Sequence, residues 1–189
     1  MSIDHFSLIA GIYNKLARFL PSSEFLDLLS LSPDQLLLDA GGGTGRLASA
    51  LQGLVKGVVV VDLSLAMLHH ATSKGLVTAC APLEDLPFPS NTFNRIILMD
   101  VLHHVFDQQK SIIELWRVLT PGGVLVIVEP DIHHFPVKII AIIEKVLFMR
   151  SHFIDEKKIT LLFSKLFAQI QVLHNEEDIW VAAEKERQL

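Results

Sequence analysis

Cysteine is nearly absent: Cys80 stands alone in a chain of 189 residues. No internal disulfide framework can form, which suits a reducing compartment. Positive charge is also short. Sixteen Lys and Arg face 21 Asp and Glu, for a formal charge of −5 and a pI near 6.0. That balance leaves no electrostatic footprint for nucleic acid. Long uncharged apolar runs are missing as well. The most apolar stretch, Phe135 to Met149, is interrupted by Lys138, Glu144 and Lys145, and no run reaches the roughly 18 residues of a membrane helix. The N-terminus carries Asp4 early and has no basic run ahead of an apolar core, so it does not read as a signal peptide. A cytoplasmic protein without a transmembrane segment is expected. No His or Cys pair shows zinc spacing with a second pair, so no metal site is expected.

What is present is enough apolar sequence for a core. Half the residues are hydrophobic and one fifth are charged, so residues 1–189 suit a single domain. Phe6, Ile9, Ala10, Tyr13, Leu16 and Leu20 recur at helical spacing until Pro21, and a short helix is expected over Glu24 to Leu29. "LLLDA", "GVVVVDLS", "LVTACA", "NRIILMD" and "GVLVIVEP" are apolar runs of the kind buried parallel strands need. Helices are expected from Leu47 to near Gly53, from Ser64 to about Lys74, and along the stripe Ile112, Leu115, Trp116 and Leu119, closed by "TPGG". The alternation argues for an α/β fold, a parallel sheet with helices on both faces. Beyond Pro130 the pattern changes. Residues 131–166 read as two amphipathic helices with a break around Ser151 to Ile154. "FAQIQVLHNEEDIWVAAEK" then reads as two strands around "NEED", a hairpin at the sheet edge.

"LLLDAGGGTGRLA", residues 36–48, puts four glycines into five positions directly after the first strand. A loop there lies at the carboxyl end of the sheet, where α/β folds bind ligands. A phosphate-cradling P-loop would need Lys after Gly45, and Arg46 stands there. The strict dinucleotide pattern Gly-x-Gly-x-x-Gly is absent, while its looser form ending in Ala fits Gly43, Gly45 and Ala48. Asp39-x-Gly41-x-Gly43-x-Gly45 is a third reading. Asp62 ends the second strand, where a carboxylate accepts from both hydroxyls of a ribose; a helix-capping role is the plainer alternative. Cys80 reads as a small core residue, and His69 and His70 as a solvated helix face. Of His103 and His104, one is expected to face the cleft and the other to pack or meet solvent.

The pattern at Asp39, Gly41, Gly43 and Gly45 resembles the first motif of the class I S-adenosylmethionine-dependent methyltransferases. "LEDLPFPSNTFNRIILMDVLHHV" and "LWRVLTPGGVLVIVEP" resemble the fourth- and fifth-strand regions of the ubiquinone/menaquinone biosynthesis methyltransferase-like group, the type 11 methyltransferase domain. "YNKLARF", from Tyr13, resembles the N-terminal helix that closes over the cofactor there. The resemblance runs from Tyr13 to about Pro130. It implies a Rossmann-like seven-stranded sheet in the order 3-2-1-4-5-7-6 with the seventh strand antiparallel, N-terminal helices over the cofactor within residues 1–30, and a substrate-side insert over 131–166.

The same resemblance implies S-adenosylmethionine as cofactor and S-adenosylhomocysteine as product. Asp39, Gly41, Gly42, Gly43 and Gly45 would run beneath its amino acid portion and sugar. Asp62 and Leu63 would lie on the ribose side, Leu83 and Glu84 by the adenine, Met99 and Asp100 at the end of the fourth strand with Asp100 next to the cofactor amino group, and Tyr13 over the cofactor. A helix-capping role for Asp100 is the plainer alternative. Pro82 departs from the pattern: relatives carry there an Asp that contacts the adenine amino group. The Leu83 backbone, with Glu84 or Asp85, would substitute. The sulfonium already activates its methyl group, so the protein mainly aligns a nucleophile and excludes water. A base is needed only for an acceptor proton of high pKa, and His104, His133 and Tyr13 are the candidates. In the insert, Ile139, Ile142, Ile143 and Val146 share a helical face, consistent with a small apolar or aromatic acceptor. That face would equally cover the sheet or pair two subunits in a homodimer. Two other functions stay open: a cofactor-binding module that acts through a partner without catalysis, and an NAD(P)-dependent oxidoreductase.

Overall fold

In the computed structural model, residues 21–131, 154–175 and 178–187 are described. The apolar runs form strands, because a strand covered on both faces keeps water from its backbone only if its side chains are apolar throughout. They are β1 (Leu36–Ala40), β2 (Gly57–Asp62), β3 (Val77–Cys80), β4 (Phe93–Met99), β5 (Leu119–Pro130), β6 (Ala168–His174) and β7 (Asp178–Lys185). They make one sheet in the order β3-β2-β1-β4-β5-β7-β6. β7 runs antiparallel to both β5 and β6, while the pairs among β1 to β5 are parallel. This is the order and the reversed strand that the resemblance implies.

The helices are α1 (Ser23–Leu29), α2 (Arg46–Leu51), α3 (Leu65–Ser73), α4 (Gln108–Val118) and α5 (Glu156–Leu162). Their starts follow local chemistry. Ser22, Asp107 and Asp155 each accept, through the side chain, a backbone N–H of the first turn, from Phe25, Lys110 and Lys158 respectively, which satisfies donors that have no partner inside the helix. One face of the sheet packs against α1, α2 and α3 through Leu37, Val60 and Ile97. The other packs against α4 and α5 through Leu38, Ile96 and Ile127. Among the described residues no helix is long and apolar enough to cross a membrane.

Two expectations change. β5 begins at Leu119, so "TPGG" lies inside the strand and does not close the helix from outside it. Pro121 has no N–H for the ladder, and the pairing jumps from Phe93↔Leu119 to Arg95↔Val124. The surplus residues bulge out, as proline in a strand requires. Cys80 is exposed, because β3 is the sheet's edge and not a covered strand. The helix expected over Phe6 to Leu20 and the first helix of the insert lie outside the described residues.

Arg95, in β4 and 9% exposed, fastens α1 to the sheet. Its guanidinium donates to the Leu29, Ser30 and Asn94 carbonyls. Arg95→Ala leaves the buried Leu29 carbonyl and two part-buried carbonyls without these donors and is expected to cost about 3 kcal/mol, the order of a lost charged hydrogen-bond set. Urea unfolding measures it; an unchanged midpoint would remove the clamp.

Candidate functional site

Five parallel strands bring their carboxyl ends to one edge of the sheet, and the chain turns there over a glycine loop. The N–H groups of Gly41 and Gly42 both donate to the Val61 carbonyl, at 2.7 and 3.2 Å, which folds the loop across the end of β2. Two glycines are required by space and backbone together. Gly41 has φ +72°, and a Cβ there would lie 2.5 Å from the Val101 methyls. Gly45, at φ +70°, opens α2 and would drive a Cβ into Leu76 and Ala71. Left-handed backbone of this kind is costly for any residue with a side chain. Gly43 differs: among the described residues a Cβ there would meet nothing nearer than Asp62 at 3.8 Å.

Asp62 stands beside that loop. Its Oδ2 accepts from the Gly43 N–H at 2.9 Å and its Oδ1 from the Ser64 N–H at 2.8 Å. These two bonds orient the carboxylate at the carboxyl end of β2. The helix cap itself is Ser64, which accepts from Met67. Asp39, at the end of the central strand, is only 2% exposed. Its Oδ2 accepts from the Ala48 N–H at 3.2 Å. Burial pushes its pKa up to about 7; the Ala48 bond opposes the rise and the nearby Asp62 charge adds to it.

On the other side of β1, β4 ends in a sharp reversal. Asp100 has φ +56°, and a single turn of tight helix covers Leu102–His104. Asp100 reaches solvent, yet protein surrounds most of its carboxyl group. Desolvation first, then the charges of Glu129 and Asp178, raise its pKa to about 6, against opposing effects of His103 and Arg46. Glu129, near the end of β5 and 1% exposed, accepts from the N–H groups of Val101 and Leu102 on one oxygen and contacts His103 Nδ1 with the other at 2.5 Å. His103 is buried and lies against His104, with ring centroids 3.9 Å apart and the rings tilted by 48°. His104 is half-buried, and burial with the His103 charge lowers its pKa to about 4. Of the two histidines, then, His103 packs.

The structure thus places Asp39, Gly41 to Gly45, Asp62 and Asp100 at the carboxyl ends of the neighbouring strands β1, β2 and β4. Leu63, next to Asp62, is 69% exposed, whereas the Leu83 side chain is in the core. Glu84 is drawn elsewhere: its Oε1 accepts from the N–H groups of Phe106 and Asp107, each at 3.1 Å, so its carboxylate holds the start of α4. Pro82 and Asp85 close a turn through the Asp85 N–H and the Pro82 carbonyl, and both are exposed. Tyr13 and His133 lie outside the described residues. Glu129 is the group that sequence reasoning missed. Its signal was the one that found Asp39 and Asp62, an acid closing an apolar strand. A shallow depression bordered by Gln52, Gly57 and Leu76 lies at the opposite edge of the sheet and offers no reactive side chain.

A seven-stranded sheet of this order, with a glycine loop and an acid at the end of β2, defines the class I methyltransferase fold. The family whose description is "methyltransferase domain" matches residues 38–127. The ubiquinone/menaquinone biosynthesis C-methyltransferase of Vibrio cholerae is 36% identical over 115 residues, 55% of this chain and 44% of that protein. The match thus spans less than half the length of this curated relative. Among solved structures, an S-adenosylmethionine-dependent methyltransferase of Thermotoga maritima superimposes with a TM-score of 0.78 at 21% identity, covering 96% of this chain and 98% of that one. The 4+2 cyclase SpnF does so with a TM-score of 0.73 at 14% identity, covering 97% and 95%. Both show the fold alone.

Asp39 sets a pH dependence. Its folded pKa near 7 lies above the ordinary 3.8, so it favours the fold fully below the unfolded value and loses that contribution as pH rises through about 7. Asp39→Asn removes the buried charge. The variant should be more stable than the parent at pH 8, by as much as about 4 kcal/mol, with the gap closing toward pH 4. Thermal unfolding at the two pH values measures it, and a gap that does not change with pH would contradict the assignment.

Proposed function

We propose that the chain is an S-adenosylmethionine-dependent methyltransferase whose acceptor is a small apolar or aromatic molecule. The observation that carries the reading is Asp62. It is fixed by two backbone N–H groups at the end of β2, beside a glycine loop that lacks the phosphate-loop Lys after Gly45 and where, among the described residues, a Cβ on Gly43 would meet nothing nearer than Asp62. Asp62 would take the ribose hydroxyls. The Gly41–Gly45 backbone would pass beneath the amino acid portion, with Asp39 and Asp100 the acids nearest its amino group. Met99 and Leu63 would flank the ligand, and Tyr13, within residues 1–30, would cover it. When bound, the cofactor supplies a methyl group on a positively charged sulfur. The Asp62 and Asp100 carboxylates suit such a cation, with Arg46 and Lys74 close to the same loop.

The rest of the chemistry belongs to the chain. The loop and the β4 reversal orient the methyl donor, and closing segments exclude water. His104, neutral above about pH 4, is in the form that accepts a hydrogen bond; so low a pKa makes it a weak base. It suits orienting an acceptor hydroxyl better than holding its proton, and His133 remains the other candidate. Support for an apolar acceptor comes from the sequence of the insert, residues 131–166, with Ile139, Ile142, Ile143 and Val146 on one face, and from the kind of substrate in the Vibrio relative's name. A non-catalytic binding module is favoured by one observation, Pro82 in place of an adenine-contacting acid.

Calorimetry with S-adenosylhomocysteine, S-adenosylmethionine and NAD tests the cofactor. The first two should bind and NAD should not. Asp62→Ala should weaken S-adenosylhomocysteine tenfold or more, since hydrogen bonds to a charged group contribute about 1.5–3 kcal/mol each. Tight NAD binding, or unchanged affinity in the variant, would overturn the reading. Methyl transfer from labelled cofactor to a panel of quinone-like and aromatic acceptors then separates the enzyme from the binding module.

A further inference from the structure

Glu129 is buried at the edge of the site, yet nothing in the methyl-transfer reading so far uses it. Its Oε1 takes the Val101 and Leu102 N–H groups at 3.0 and 2.7 Å, and its Oε2 meets His103 Nδ1. An acid 1% exposed is expensive to bury unless its bonds are filled. Here all three filled bonds come from one five-residue stretch, Asp100 to His104. That stretch contains a non-glycine residue in left-handed backbone, Asp100, a conformation that persists only where its surroundings impose it. The Asp100 N–H is held from the other side by the Val128 carbonyl at 2.9 Å. The stretch also forms the wall against which the glycine loop rests, since Val101 fills the space beside Gly41.

We propose that Glu129 is the positioning residue of the cofactor site: by gripping the reversal after β4, it sets both the place of the Asp100 carboxylate and the Val101 wall under Gly41. This rests on the methyltransferase reading above. Glu129 needs no contact with a ligand. It acts through Asp100 and Val101, and through His103 it fixes the ring against which His104 lies. The groups whose charge bears on Asp100 are Glu129, Asp178, His103 and Arg46.

Two substitutions separate positioning from bulk stability. Glu129→Ala removes both oxygens and frees the reversal. Glu129→Gln keeps an acceptor for Val101 and Leu102 but removes the charge. Calorimetry of the wild-type chain with S-adenosylhomocysteine comes first; no binding there would defeat the methyltransferase reading itself. Given wild-type binding, Glu129→Ala should lose at least ~10-fold in affinity, and Glu129→Gln should regain most of that loss at pH 8. The acid limb of the binding profile should also move to lower pH in Glu129→Gln, because a negative neighbour of Asp100 is gone. Affinity unchanged in Glu129→Ala, or an acid limb unmoved in Glu129→Gln, would overturn the proposal. If Glu129→Ala fails to fold, the Gln profile decides alone.

Discussion

A parallel sheet collects the carboxyl ends of its strands along one edge, and in this chain those ends carry Asp39, Asp62, Asp100 and Glu129. Like charges packed together in a partly dry place repel, and each must be compensated or have its pKa raised. The chain uses both answers. Asp62 and Glu129 are compensated by backbone N–H groups. Asp39 and Asp100 show raised pKa values, near 7 and 6. The glycine loop follows from the same crowding. A Cβ on Gly42 would lie 2.5 Å from the Asp39 carboxyl, so the loop passes over that acid only as bare backbone. Arg46, which opens α2, and Lys74, whose Nζ donates to the Thr44 carbonyl at 2.9 Å, offset part of this negative charge.

Most of this was legible in the sequence because strands and the acids that end them are local signals. "LLLDA" and "VVVVD" announce a buried strand and its terminal carboxylate in one phrase, and the sheet order followed once the fourth- and fifth-strand motifs were matched. What stayed hidden was pairing at a distance. Nothing local says that Glu129 reaches back to residues 101–103, or that Glu84 is spent on the start of α4. Those contacts depend on how two loops meet above neighbouring strands. The bulge at "TPGG" was hidden for a related reason: Pro and Gly announce a break, but only the ladder to β4 determines whether the strand resumes around it.

The fold by itself leaves the reaction open. A cyclase and a methyltransferase share this sheet with TM-scores above 0.7, so the argument for methyl transfer rests on the loop and the acids and not on the topology. The strict glycine spacing that cradles a pyrophosphate is absent, although its looser form ending in Ala fits Gly43, Gly45 and Ala48.

Backbone amide NMR shifts on adding S-adenosylhomocysteine test the central claim most directly, because they report where a ligand sits without relying on turnover. The account predicts large, saturable shifts at Gly41 to Gly45, Leu63 and Val101, residues that belong to three separate strand ends. Shifts confined to the opposite edge, around Gln52, Gly57 and Leu76, or no shifts at saturating ligand, would contradict it.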